Sequence, residues 1–180
     1  MIQIHFMRLR SLLVGITTLL VLCACQPSLN WREIHDTDGH FRIMMPGKPA
    51  SASRDIVLSG IPCTMQMRGV TEEGLTFTVG WTEAHDAQQT GLLWQAMLQG
   101  MLSNIGATVP SGTAPGTIVR ATGKTPQGTD IAMHARFLIQ DNYVYQIVVT
   151  GPVKQLDTAV SDHFLQSFTR DLSKNPPAQP

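Results

Sequence analysis

From Leu75 to Thr82 the chain alternates without interruption. Leu75, Phe77, Val79 and Trp81 are large and apolar, and Thr76, Thr78, Gly80 and Thr82 between them are small or polar. Successive side chains of a strand point to opposite faces, so a period of two marks a strand and does not suit a helix, whose period is 3.6. Upstream, Cys63, Met65 and Met67 share one side of a second alternating run, and Thr64, Gln66 and Arg68 share the other. Glu72-Glu73-Gly74 joins the two runs, a link too short for a parallel crossover. The pair predicts an antiparallel sheet with one face buried and one wet.

Similar runs bounded by turn residues extend the sheet. Strands are predicted over 31–35 and 40–45, flanking Asp36-Thr37-Asp38-Gly39, whose Asp-Gly is a hairpin signal. Another is predicted over 52–58, turned by Ser59-Gly60 into the Cys63 strand, and three more over 117–123, 130–140 and 143–150. Between these groups the period changes. Leu93, Met97 and Met101, with Leu98, Leu102 and Ile105 beside them, fall at helical spacing between an N-cap at Asp86 and a stop at Gly106. Gly91 and Gly100 each weaken such a helix by about 1 kcal/mol relative to Ala, which predicts either close packing or a soft helix. Gly151-Pro152 is expected to open a final helix carrying Val153, Leu156, Val160, Phe164 and Phe168. Five strands, a helix, three strands and a helix make an α+β fold: an antiparallel sheet of about 6–8 strands with two helices packed on it.

The N-terminus reads as an address. Arg8 and Arg10 precede Ser11 to Leu22, an apolar run of twelve residues. That is short of the about 20 needed to span a bilayer and right for a secretory signal. Met7, just ahead of the arginines, competes with Met1 as the start. Leu22-Cys23-Ala24-Cys25 resembles a bacterial lipobox, with Leu at −3, a small residue at −1 and the lipidated Cys at +1. Cys23 fits less well, because Leu22 would then fill the small −1 site. The resemblance implies a signal peptide over 1–24, a covalent lipid on Cys25 and a tether over 25–30. With Gln26 rather than Asp next, it also implies the periplasmic face of the outer membrane over the inner one. One domain is expected over 31–173 and a disordered Pro-rich tail over 174–180. Cys63 is then the only thiol left, so no intramolecular disulfide is expected even in an oxidising compartment.

Composition narrows the classes. With 180 residues, 43% hydrophobic and 14% charged, the chain has core enough for one domain and is too apolar to be disordered. Thirteen basic against thirteen acidic residues do not suit a general nucleic-acid binder. Losing Arg8 and Arg10 with the signal turns the rest mildly acidic, with no electrostatic reason to lie on an anionic membrane.

The opening Trp31…Asp38-Gly39-x-Phe41-x-Ile43-x-x-Pro46-Gly47-x-Pro49 and the closing Phe164-Leu165-x-Ser167-Phe168 resemble the two ends of a PsbP-like domain. Such domains occur in bacterial periplasmic lipoproteins, including the DcrB type. The resemblance implies that fold from about Trp31 to Phe168, and an accessory or binding role, although function does not follow from fold.

Two clusters carry metal chemistry. Cys63-x-Met65-x-Met67 aligns three soft sulfur donors on one strand face, about 6–7 Å apart per step; such ligands select Cu(I). A buried strand face filled by Met and Cys looks the same. His35-Asp36-x-Asp38-x-His40 offers nitrogen and oxygen donors for Zn²⁺ around the first hairpin, and equally a solvated turn. No nucleophile elbow, phosphate-binding glycine loop, His-Glu-x-x-His or Cys-x-x-Cys occurs. The expectation is a non-enzymatic accessory or binding module of the envelope, with no cofactor beyond the lipid on Cys25 and no nucleic-acid partner. An envelope protein would meet it at a sheet edge or at a cleft between sheet and helix, where Trp31 and Tyr143 are the aromatic candidates. The alternative is a copper- or zinc-binding lipoprotein using Cys63, Met65 and Met67, or His35 and His40.

Overall fold

The computed structural model describes residues 29–171; the signal segment 1–24, the lipobox, Cys25 and the tail 174–180 lie outside the described residues. The elements run β1 (Arg32–Asp36), β2 (Phe41–Met45), β3 (Ala50–Leu58), β4 (Ile61–Glu72), β5 (Leu75–Glu83), α1 (Ala87–Ser103), β6 (Ile118–Lys124), β7 (Asp130–Gln140), β8 (Tyr143–Gly151), α2 (Thr158–Ser167) and β9 (Thr169–Arg170). Six strands form an antiparallel sheet in the order β3-β4-β5-β8-β7-β6. The first hairpin leaves that sheet and joins β9 in a second one, ordered β1-β2-β9. The α+β class, the antiparallel pairing and the two helices are as the sequence predicts.

The expectation of one wet face is corrected. Gln66 stands opposite Trp81 and Met67 opposite Gly80, so the apolar sides of β4 and β5 look to opposite faces of one sheet. On one face Phe77, Trp81, Tyr145 and Ile147 pack against Phe41 and Ile43 of the small sheet and Phe164 and Leu165 of α2. On the other, Met65, Met133, Phe137 and Val148 pack against Leu93, Met97 and Leu102 of α1. Central strand β8 is buried continuously from Val144 to Val149, because a layer covers each side of it.

Local chemistry sets the helix ends. Asp86 caps α1, its carboxylate accepting the Gln88 and Gln89 N–H groups, both at 2.9 Å. A side chain added at Gly91 or Gly100 would meet nothing within 4 Å, so these glycines soften the helix and serve no close contact. The final helix does not start at Pro152. It starts six residues later, where Asp157 caps it by accepting the Ala159 N–H at 2.5 Å; a capping carboxylate outweighs the preference of Pro for the first turn. Val153 accordingly lies outside the helix and is exposed.

The first hairpin also departs from its Asp-Gly signal. Asp36 pairs with Phe41 across a four-residue loop, and the left-handed residue is His40 (φ 52°). Gly39 is needed for space instead: a Cβ there would come within 2.5 Å of the Phe41 ring and 2.8 Å of Trp81. Its carbonyl accepts the buried Tyr145 hydroxyl at 3.0 Å. The Asp36 carboxylate holds the loop by accepting the Gly39 N–H and the Arg68 Nε, each at 2.7 Å.

Candidate functional site

The two edges of the large sheet are unlike each other. At β6, the Lys124 N–H donates to the Ile105 carbonyl at 2.9 Å, and a Cβ on Gly123 would lie 1.8 Å from that oxygen, so the loop after α1 sits directly on this edge. At β3 nothing comparable occurs among the described residues. The turn Ser59-Gly60 is left-handed at both positions (φ 49° and 80°) and is flanked by the pair Leu58↔Ile61. In such a two-residue hairpin the flanking pair is hydrogen-bonded and the bonded pairs then alternate. Ser51, Ser53, Asp55 and Val57 therefore turn their N–H and C=O groups outward, and no proline interrupts them.

The same alternation exposes a second piece of backbone. β4 pairs with β3 all the way to Ile61, but with β5 only from Gln66↔Trp81 onward. Past Trp81, β5 keeps only its pairing with β8: Glu83 pairs with Tyr143, and the Ala84 N–H donates to the Asn142 carbonyl at 2.7 Å. Pro62 and Thr64 are left facing a cleft of about 980 Å³, whose lining also includes Asp38, Asp55, Thr82 and Glu83. Pro62 is tolerated there because its missing N–H points away from β3. Tyr143 lines the cleft beside Glu83. Burial, then the charge of Glu83 and its hydrogen bond, raise the Tyr143 pKa against the opposing pull of Arg170, so the phenol stays a protonated donor.

The sequence-predicted residues are dispersed. Cys63, Met65 and Met67 do share a face, the one under α1, with Met65 buried and Cys63 and Met67 half-buried in its apolar cluster. His35 pairs with the Asp171 carboxylate and the Asp171 N–H donates to the His40 carbonyl at 2.8 Å, but the His40 ring turns elsewhere and stands edge-on to Tyr143 at 5.4 Å. Among the described residues, no group of three or more His, Cys, Asp or Glu side chains gathers to hold a metal ion. Trp31 packs edge-on to Phe77 at 5.7 Å, while Tyr143 reaches the cleft. Sequence reasoning missed Asp55, Pro62, Thr82 and Glu83 as a group; each has an ordinary place in an alternating strand.

It also missed a buried pair, His134 Nδ1 and Ser161 Oγ at 2.6 Å. A serine beside an imidazole is a nucleophile–base arrangement. Here both side chains are buried and neither lines the cleft, so the pair serves to fasten α2 to β7. The Ser161 hydroxyl donates to the Thr158 carbonyl at 3.0 Å, which leaves Nδ1 to carry the proton between Ser161 and His134. Burial lowers the His134 pKa, Arg120 adds to that and Asp162 opposes it. The unfolded chain binds this proton near the ordinary imidazole value of about 6.5 and the folded chain only at lower pH. The stability contributed by neutral His134 is therefore full above about pH 6.5 and lost as pH falls through the folded value. Urea midpoints measured at about pH 7.5 and about pH 5 should fall further for the wild-type chain than for His134→Asn, which keeps a donor but does not titrate; equal falls would refute the assignment.

No helix among the described residues is long and apolar enough to cross a membrane. Comparison with protein-family models, with curated proteins and with solved structures finds no match for this chain.

Proposed function

We propose that the chain is a non-enzymatic accessory or binding module of the cell envelope, a PsbP-like α+β domain held at the periplasmic face of the outer membrane by the lipid on Cys25. The observation that carries this reading is the bare edge of β3. Long edges are normally blunted by proline, bulges or a covering loop; this one keeps outward N–H and C=O groups at Ser51, Ser53, Asp55 and Val57. A partner strand adds to such an edge through main-chain bonds, and the lipid raises the effective concentration of that edge beside a membrane partner.

A photocrosslinking residue in place of exposed Ser53 tests the reading in intact cells. It should trap an envelope protein, and the product should vanish when Cys25→Ala prevents lipidation. The same residue at exposed Leu92, on the outer side of α1, should trap nothing comparable. Palmitate should label the wild-type chain and not Cys25→Ala. Absence of label, or equal crosslinking from both positions, would sink the reading.

A further inference from the structure

We propose that the strand added at the bare edge of β3 is β3 of a second copy of this chain, paired antiparallel about a two-fold axis at Ser53. The inference rests on the envelope reading and names the occupant of the edge which that reading leaves open.

The charges of the strand choose the register. Arg54 and Asp55 are the only charged side chains in β3. An axis at Arg54 would pair all nine residues of the strand but set the two Arg54 side chains directly opposite each other. An axis at Asp55 would do the same to the two carboxylates, and like charges so placed are destabilising. An axis at Ser53 gives the longest register without that opposition. It sets Asp55 opposite Ser51, Arg54 opposite Ala52 and Ile56 opposite Ala50. The backbone is then in phase. Ser51, Ser53 and Asp55 all turn their N–H and C=O groups away from β4, so Ser53 with Ser53, and Ser51 with Asp55, each close both main-chain bonds of a pair.

Val57 points to a covering partner independently of the backbone. At 66% it is the most exposed large apolar side chain among the described residues, and it stands on this edge strand. Carried one residue further, the same register brings it opposite Pro49 of the second copy, apolar against apolar. A two-fold contact also closes on itself, since each copy uses the same patch. The far edge of the sheet is blocked where the loop after α1 meets Gly123 and Lys124. Pairing of β3 with β6, which would run on into a fibre, is therefore prevented, and the two six-stranded sheets join into one that grows no further. An open edge that would otherwise invite aggregation is closed in this way. One strand pair is a small contact, of the weak class below about 1,200 Å². Confinement of both copies to one membrane surface by the lipid on Cys25 supplies the effective concentration it needs.

The test uses the lipidated full chain in phosphatidylcholine vesicles, with Ala50→Cys chains mixed with Ile56→Cys chains under mild oxidation. With the axis at Ser53 these two positions form a closely spaced pair, within reach of a disulfide. Mixed vesicles should give a disulfide dimer on non-reducing electrophoresis, and vesicles of either variant alone should not. Both variants keep Cys63, so each one alone also controls for that thiol. Adding Ser53→Pro to both chains should abolish the dimer by removing the donor at the axis. That N–H takes no part in the ladder with β4, so the circular dichroism spectrum should not change. No mixed disulfide, a mixed disulfide that Ser53→Pro leaves intact, or equal dimer from one variant alone would each overturn the proposal. A Ser53 photocrosslink to a different envelope protein, without the mixed disulfide, would remove this inference and leave the envelope reading standing. Failure of that reading shows separately, as absence of palmitate label.

Discussion

Phe41→Ala should lower the unfolding free energy by about 3–5 kcal/mol, the usual cost of truncating a fully buried phenylalanine. Phe41 is 0% exposed and lies where the two sheets meet. Its ring stacks on Phe168 at 5.4 Å and meets Trp81 and Tyr145 edge-on at 5.3 Å and 6.3 Å. Truncation leaves a void between β2, β5, β8 and the segment after α2, four pieces that are too firmly held elsewhere to collapse into it. Urea titration followed by tryptophan fluorescence measures the loss. Phe41→Leu, which keeps most of the volume, should cost clearly less; equal losses from the two substitutions would mean that ring packing is not what Phe41 contributes.

The second large effect is expected at Asp36, where replacement by Ala should also cost about 3–5 kcal/mol because it strands a mostly buried charge. Arg68 is only 16% exposed at its side chain and lies over the Trp81 ring at 5.1 Å. Asp38, largely exposed and at 3.5 Å, is a poor substitute for Asp36 at 2.7 Å. Asp36→Ala also removes the acceptor of the Gly39 N–H. The two contributions separate in a double-mutant cycle with Arg68→Met. If the stranded guanidinium dominates, Asp36→Ala should cost much less in the Arg68→Met background. An unchanged cost would assign the effect to the loop.

How far the fold could be read from the sequence depended on how local its causes are. The strand limits of β4, β5 and β7 follow from alternation, and the start of α1 from a capping aspartate, all features of neighbouring residues. The burial of both sheet faces was not legible, because it depends on the relative register of β4 and β5: each strand alternates correctly, and only the pairing of Gln66 with Trp81 sends their apolar sides apart. At Gly39 the residue type was right for a turn, but its cause was the bulk of Phe41 and Trp81. The cleft was invisible for the same reason as the two buried faces. It exists because β5 parts from β4 after Trp81 while staying paired with β8, and nothing around Thr82 or Glu83 announces that parting.

The small sheet sets a schedule for folding. β2 lies between the first strand described and the last, and its Met44 N–H donates to the Ser167 hydroxyl, 123 positions along the chain. A ribosome releases the β1–β2 hairpin well before the segment that closes over it. At roughly 5–20 residues per second this interval is on the order of 6–25 s. Throughout that time β2 has one neighbour instead of two, and Phe41 and Ile43 lack Phe164 and Phe168 to cover them. The domain therefore behaves as a vessel sealed by α2 and β9. Shortening it at the C-terminal end through α2 should do more than trim a terminus: it should keep the early hairpin permanently in its exposed, chaperone-dependent state.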